Sequence, residues 1–341
     1  MEKGGEPPSL RGGKMARFIG KRLVQLIPVL IGISVLVFLL LFLVPGDPAT
    51  TLLGQDATKE EVHRFKEQMG LNDPFFVQLG HFLLGLAKGD LGQSFIQNES
   101  VSSIVMSHLP ATLELAVLGL LIALIIAVPI GIWSAVKQFS WIDYSSMFFA
   151  QLGVSIPVFW LGLLLILFFS VDLNILPSFG RGDPLYSAIG ETIKTGNIYY
   201  VIESLKHLIL PALTLGLMSA AFITRMVRSA MLEVLNEDYI RTAEAKGVKN
   251  FYVIMKHAFR NALIPIVTII GLQFGNLIGG AIVTETVFAW PGIGRLLITA
   301  ISQRDFPVVQ GSVLVVALLF ALINLLIDVL YSLINPKIQQ Q

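Results

Sequence analysis

Six apolar runs, each long enough to cross a lipid bilayer, constrain this chain more than any other feature. They fall at about 25–45, 111–135, 145–170, 208–228, 262–284 and 308–334. A helix needs roughly 20 mostly apolar residues to span a hydrocarbon core of ~30 Å. Within lipid every backbone polar group must be satisfied inside the protein, and runs of this length do so as helices. The sequence therefore predicts an all-α integral membrane protein with six transmembrane helices. Composition agrees, with 54% hydrophobic and only 14% charged residues, against about 25% charged in soluble domains. A net charge of +1 says little about partners, and nucleic acid is not expected among them. The lack of cysteine removes disulfides, thiolate metal sites and cysteine redox chemistry.

The flanks give orientation. Residues 1–14 (MEKGGEPPSLRGGK) are polar and rich in Gly and Pro, and form an expected disordered extension; either Met1 or Met15 can be the native start. Residues 15–45 hold the N-terminal segment and the first helix. That run follows Lys14, Arg17, Lys21 and Arg22 and lacks an A-x-A cleavage site, so it is expected to be a retained anchor rather than a signal peptide. Fifteen Lys and Arg lie before the first run, at 136–144, between Arg225 and Arg260, and after the last run. Nine lie in the longer segments 46–110, 171–207 and 285–307. The positive-inside rule places both termini and the 229–261 loop in the cytoplasm.

Segment 46–110 becomes a small external cap, and 111–341 a core of five helices. The cap opens with Pro-Gly-Asp-Pro and contains Thr58-x-x-Glu61, the pattern of a capping box. Phe75–Leu86 is apolar but too short to span, and is expected to lie at the interface.

Pro129, Pro157, Pro211 and Pro265 fall inside the runs. Gly271, Gly275 and Gly279 share a helix face at four-residue spacing, which suits close helix packing or a pathway-lining helix that slides. Asp328, four residues after Asn324, is the main ionisable residue inside a run. A bond to a neighbouring helix or basic loop explains it better than solute contact. Glu114 is expected at the outer mouth of the second run. His207 and His257 fall near membrane boundaries beside lysine, where headgroup or backbone contacts are expected.

The loop from Asn236 to Pro265, NEDYIRTAEAKGVKNFYVIMKHAFRNALIP, reads as two short helices. Asn236 is the expected N-cap, Glu237 and Asp238 suit a first turn, and Gly247 suits the left-handed position past the helix end. Glu237 and Arg241 are spaced to pair. Leu235, Tyr239, Ala243 and Ile240 mark its apolar side. A second helix over Phe251–Phe259 carries Phe251, Ile254, Met255, Ala258 and Phe259 as an apolar stripe, with Lys256, His257 and Arg260 basic. Isolated helices this short are marginal, so something packs on them: lipid headgroups or a partner protein.

This loop resembles the EAA loop of permease subunits in binding-protein-dependent ABC importers. Arg241-Thr242-Ala243 stands where the family average has E-A-A, Gly247 matches its glycine, and His257-Ala258-Phe259-Arg260 stands at I-x-L-P. These departures fit the dipeptide/oligopeptide/nickel branch. So do ARFIGKRLVQLIPVLIGIS, PGDPA, GDLGQSF, LPATLELA, SIPVFWLGLLLI, LKHLILPALTLGL, TRMVRSAMLEVL, ETVFAWPGIGRLL and RDFPVVQG, which cover nearly the whole chain from Met15. The long external segment is similar to that of the first of the two permeases such importers pair.

The resemblance implies the type I ABC importer permease fold in a bacterial or archaeal cell membrane. It implies an ATPase-coupling helix made of Tyr239, Ile240, Arg241, Thr242, Ala243, Glu244, Ala245, Lys246 and Gly247. His257, Arg260 and Asn261 belong to the second helix of the loop, and Glu285, Trp290, Pro291 and Gly292 to the outer mouth. The implied partners are a second permease subunit, two ATPase subunits carrying ATP and Mg, an extracytoplasmic substrate-binding protein, a peptide and membrane lipid. No cofactor or metal on this chain is implied. No G-x-x-x-x-G-K-[ST] loop occurs, so ATP hydrolysis is expected in separate polypeptides and this chain is not expected to be an enzyme. H-E-x-x-H and G-x-S-x-G are also missing. Nickel chelates, glutathione or another small solute are alternatives to peptide. A stand-alone secondary carrier or channel would be expected to bury more coupling charge and to show two repeated halves.

Overall fold

The computed structural model describes residues 8–43, Ala49, Leu53 and residues 57–334. Residues 1–7 of the N-terminal extension, the Pro-Gly-Asp-Pro of PGDPA and residues 335–341 lie outside the described residues. Among the described residues the regular secondary structure is all helical, apart from one bridge between Gln93 and Ser100. Twelve helices follow in order: α1 (Pro8–Leu43), α2 (Lys59–Gln68), α3 (Phe75–Ala87), α4 (Val101–Val136), α5 (Trp141–Ser155), α6 (Val158–Asp172), α7 (Leu185–Thr195), α8 (Tyr199–Leu235), α9 (Asp238–Ala245), α10 (Asn250–Val287), α11 (Ile293–Gln303) and α12 (Phe306–Ile334).

Among the described residues five helices are long and apolar enough to cross a membrane, or six where the bent pair of α5 and α6 counts as one span. The sequence predicts a continuous helix over 145–170, whereas α5 and α6 meet at 103°. Pro157 is the cause. It has no N–H, and it forces Ile156 into extended backbone (φ −78°, ψ 127°). Pro211 and Pro265 sit inside unbroken helices. Three helices also run well beyond their apolar runs, since α4, α8 and α10 start 9 to 12 residues before 111, 208 and 262. Helix α1 begins at Pro8, within the segment expected to be disordered.

The chain forms two compact units. The first holds residues 1–110 and 292–322. Its core joins Val101, Ile104 and Val105 to Ile293, Leu296, Val308 and Val309. Buried Asp305 accepts the hydroxyl of Ser94 and, at 3.1 Å, the Phe95 N–H. Helix α2 starts with the expected capping box: the Thr58 N–H donates to Glu61 Oε2 at 2.8 Å and the Glu61 N–H to Thr58 Oγ1 at 3.3 Å. The Thr58 backbone and hydroxyl bonds hold the Glu61 carboxyl below its usual range.

The second unit holds residues 111–291 and 323–341. Helix α8 is its centre and packs on α5, α6, α7 and α10. Its close approach to α4 depends on glycine. A Cβ added at Gly131 would lie 2.7 Å from Val227 Cβ, and one at Gly216 would lie 2.9 Å from the Gly119 carbonyl. The 271/275/279 trio acts less uniformly than its spacing suggests. Gly271 abuts the Ile327 side chain and Gly275 is buried, but Gly279 faces open space. The packing role therefore belongs to the first two glycines within this chain.

Candidate functional site

Helix α8 ends at Leu235, and there the chain turns into a hairpin. Asn236 does not cap the next helix. It is the C-cap of α8, and its side-chain amide donates to the Leu232 carbonyl at 2.9 Å. Glu237 occupies the N-cap of α9 in extended backbone (φ −74°, ψ 145°) and makes no side-chain cap bond. The charge pattern of the first turn thus starts one residue later than expected. The expected Glu237–Arg241 pair is not among the ion pairs of the described residues.

The end of α9 is as its sequence predicts. Gly247 has φ 73°, its N–H donates to the Glu244 carbonyl at 2.9 Å, and the Val248 N–H reaches the Ala243 carbonyl at 3.3 Å. This pair of bonds is a Schellman motif. The left-handed residue satisfies carbonyls that the helix leaves open, and glycine adopts that conformation without steric cost.

One side chain fixes this helix to the bundle. Ile240 is 1% exposed and packs with Ile132 and Ala135 of α4, Ala230 and Met231 of α8, and Val253 and Ala258 of α10. Ala243 and Val248 flank that core. Tyr239 is half-exposed, and its hydroxyl accepts a bond from Asn261 Nδ2 at 2.9 Å. The same amide donates to the His257 carbonyl at 2.8 Å, so Asn261 ties the two limbs together. Arg241, Thr242, Glu244, Ala245, Lys246 and Gly247 are exposed, as is Arg260, while His257 is half-buried.

The second limb differs from its expected pattern. It is continuous with the long helix α10, and over Val253–Phe259 it widens into a π-helical stretch. A wider turn shifts which residues share a face. Val253 and Ala258 are buried, with Ile254 and Phe259 beside them. Phe251 turns outward at 69% exposure, Tyr252 beside it is 54% exposed, and their rings pack edge to face. Met255 is also exposed. These aromatics extend the open surface of α9, and the expected period of 3.6 residues concealed them.

An ion pair braces the end of the bundle that carries the hairpin. Arg228 of α8 grips Asp143 of α5 with two bonds, Nε to Oδ1 at 2.6 Å and a terminal nitrogen to Oδ2 at 2.7 Å. Asp143 also accepts the Ser134 hydroxyl and the Phe139 N–H at 3.0 Å. Bidentate geometry with satisfied lone pairs is what a buried pair requires to offset desolvation. Sequence spacing gave no sign of this pair, because 85 residues separate its members.

The second candidate group lies at the far end of α10. Glu285 is fully buried and accepts the Thr112 hydroxyl at 2.7 Å. Trp290 is 1% exposed and donates from Nε1 to the Ala111 carbonyl at 2.9 Å. Arg181 lies 5.6 Å from the Trp290 ring centre and pairs with Glu114, which also accepts the Leu185 N–H. Pro291 is half-buried, and Gly292 is the N-cap of α11. An outer mouth is expected from these residues; within the chain, Glu285 and Trp290 are buried and hold helix ends together. His207 contacts backbone, with Nδ1 3.3 Å from the Gly180 carbonyl oxygen.

Similarity to known proteins follows the same layout. Residues 127–340 match the family described as binding-protein-dependent transport system inner membrane component. Residues 15–116 match the family region described as the N-terminal part of such membrane components. A dipeptide transport system permease protein of Alkalihalophilus pseudofirmus is 49% identical over 332 residues, covering 95% of this chain and all of the relative. The protein of that name from Escherichia coli K12 is 43% identical over 96% of this chain and all of its own length. A glutathione transport system permease protein of Salmonella typhimurium is also 43% identical, over 95% of this chain and 99% of the relative. Among solved structures, an inward-facing MetNI methionine ABC transporter chain aligns with TM-score 0.54 at 18% identity, covering 68% of this chain and 96% of that one. At that identity the likeness bears on the fold alone.

Proposed function

The chain belongs to the family of binding-protein-dependent transport system inner membrane components, and on that premise we propose that it is the peptide-conducting permease of an importer driven through the α9 hairpin. It is a multi-pass membrane transport subunit and not an enzyme. ATP and Mg are held by two separate ATPase subunits, a second, different permease completes the channel, and an extracytoplasmic binding protein delivers dipeptides or oligopeptides. Both termini and the hairpin face the cytoplasm. The observation that carries this reading is the build of α9: it is anchored by Ile240 with Ala243 beside it, closed by Gly247, and exposed at Arg241, Thr242, Glu244, Ala245 and Lys246. A rigid helix with an open face can be pushed by a docked subunit without unfolding.

Peptide is favoured by the dipeptide permease relatives, whereas the glutathione permease relative, equally similar at 43%, supports a second reading. Glutathione is itself a tripeptide, so the two readings differ in the delivered solute rather than in mechanism. The test is ATP hydrolysis by the purified assembly in the presence of its binding protein, supplied with dipeptides, longer peptides, glutathione and nickel chelates in turn. Stimulation by dipeptides or longer peptides is expected. Stimulation only by glutathione or nickel chelates would replace the solute, and uptake into liposomes without ATPase subunits would overturn the whole assignment.

A further inference from the structure

Helices α5, α6, α8 and α10 line a concave face with an open cavity of about 250 Å³. Most of its lining is apolar, but Ser219, Gln273 and Asn276 also face it, and Asn276 Nδ2 donates to Gln273 Oε1 at 3.0 Å. Met218, Phe222 and Arg225 follow one another at helical spacing along α8, and Gln151 lies one turn before Val154 on α5. From Phe222 and Val154, which line the cavity, one further turn of α8 and one of α5 lead to Arg225 and Gln151. Arg225 lies 5.9 Å from the ring centre of Phe222, which lines the cavity, and donates to Gln151 Oε1 at 3.2 Å.

Those two contacts leave most of its N–H groups open, and among the described residues no carboxylate pairs with it. This contrasts with Arg228, one turn away, which is locked on Asp143. Arg225 lies near the hairpin end of α8, where a guanidinium can face water, a lipid headgroup or a solute. Ser219, Gln273 and Asn276 add polar groups to the cavity lining.

We propose that Arg225, held by Gln151 and Phe222, is a recognition residue of the solute pathway and takes the carboxylate of the passing peptide. A guanidinium presents paired donors that match a carboxylate's two oxygens. The amides of Gln273 and Asn276 supply neutral partners for the peptide backbone farther along the same face. The inference rests on the peptide reading above.

The test uses the full assembly in proteoliposomes, with binding protein saturated in turn by a free dipeptide and by the same dipeptide carrying a C-terminal amide. Wild type is expected to take up the free acid faster, by roughly tenfold, as loss of a charged hydrogen-bonded pair would give. Arg225→Gln is expected to bring the acid-to-amide ratio near one by slowing the acid, with ATP hydrolysis still stimulated by the binding protein. Arg225→Met, of similar length and at home in lipid, provides the same readout should the glutamine variant fail to assemble. A variant that keeps the wild-type ratio overturns the proposal, as does a wild type indifferent to the amide. Equal slowing of both peptides assigns the guanidinium to a lipid phosphate or to packing, and equally overturns it. If wild type moves neither peptide, the peptide reading itself fails.

Discussion

The hairpin of α9 and the turn that follows α10 end their helices in the same way and are otherwise built on opposite plans. In both, a Schellman motif closes the helix. At the hairpin Gly247 is left-handed at φ 73°; at the turn Ala289 is left-handed at φ 51°, and the Trp290 N–H returns to the Glu285 carbonyl at 2.8 Å. Glycine takes that conformation freely, whereas alanine holds it against a steric cost of roughly 1 kcal/mol, sustained by its surroundings. The surroundings differ accordingly. Glu285, Phe288 and Trp290 are all at most 2% exposed, while in the hairpin only Ile240 among residues 236–247 is buried. The turn is part of the packing; the hairpin is a surface mounted on one anchor. A mounted surface can change its face without loss of fold, as an element that meets a partner requires.

The largest expected effect breaks the turn. Trp290→Ala removes a fully buried ring, the bond to Ala111 and the platform under Arg181. It is expected to cost about 3–5 kcal/mol, read as a lower thermal transition of the detergent-purified complex. Unchanged stability would show that the turn is peripheral after all. Next comes Ile240→Ala, expected to cost about 2–4 kcal/mol at the hairpin alone. Hydrogen exchange should rise across α9 and Val253–Ala258 and stay constant at 285–291. A uniform rise across both segments would erase the distinction between anchor and core.

Much of this was legible in the sequence, and the exceptions have physical reasons. Apolar run length located the five long apolar helices and the stretch that α5 and α6 share, and a glycine after a basic residue located the end of α9. The Thr58–Glu61 box was readable because both partners lie within one turn. Proline 157 was visible, but whether a proline kinks a helix or breaks it depends on neighbours, and Pro211 and Pro265 sit in intact helices. Asn236 and Glu237 are both plausible caps, and the choice depended on how far α8 extends. Burial of Glu285 and Trp290, and the Asp143–Arg228 brace, depend on partners 85 to 179 residues away, which local spacing cannot reveal. In lipid, moreover, an apolar face is not a buried face. About 6% of the most apolar stretch of α1 is buried, against 67% for α8.

The smallest expected change in stability carries the largest functional consequence. Gly247→Val forces a β-branched residue into a left-handed conformation, at a cost of order 1 kcal/mol or more. It meets no neighbouring atom, because open space surrounds that Cβ position. Membrane insertion and assembly should therefore survive. The decisive measurement is ATP hydrolysis by the reconstituted complex on addition of loaded binding protein. If α9 is the element through which the ATPase subunits drive this chain, stimulation and uptake fall together in Gly247→Val while the complex remains intact. Wild-type stimulation and uptake in that variant would contradict the assignment.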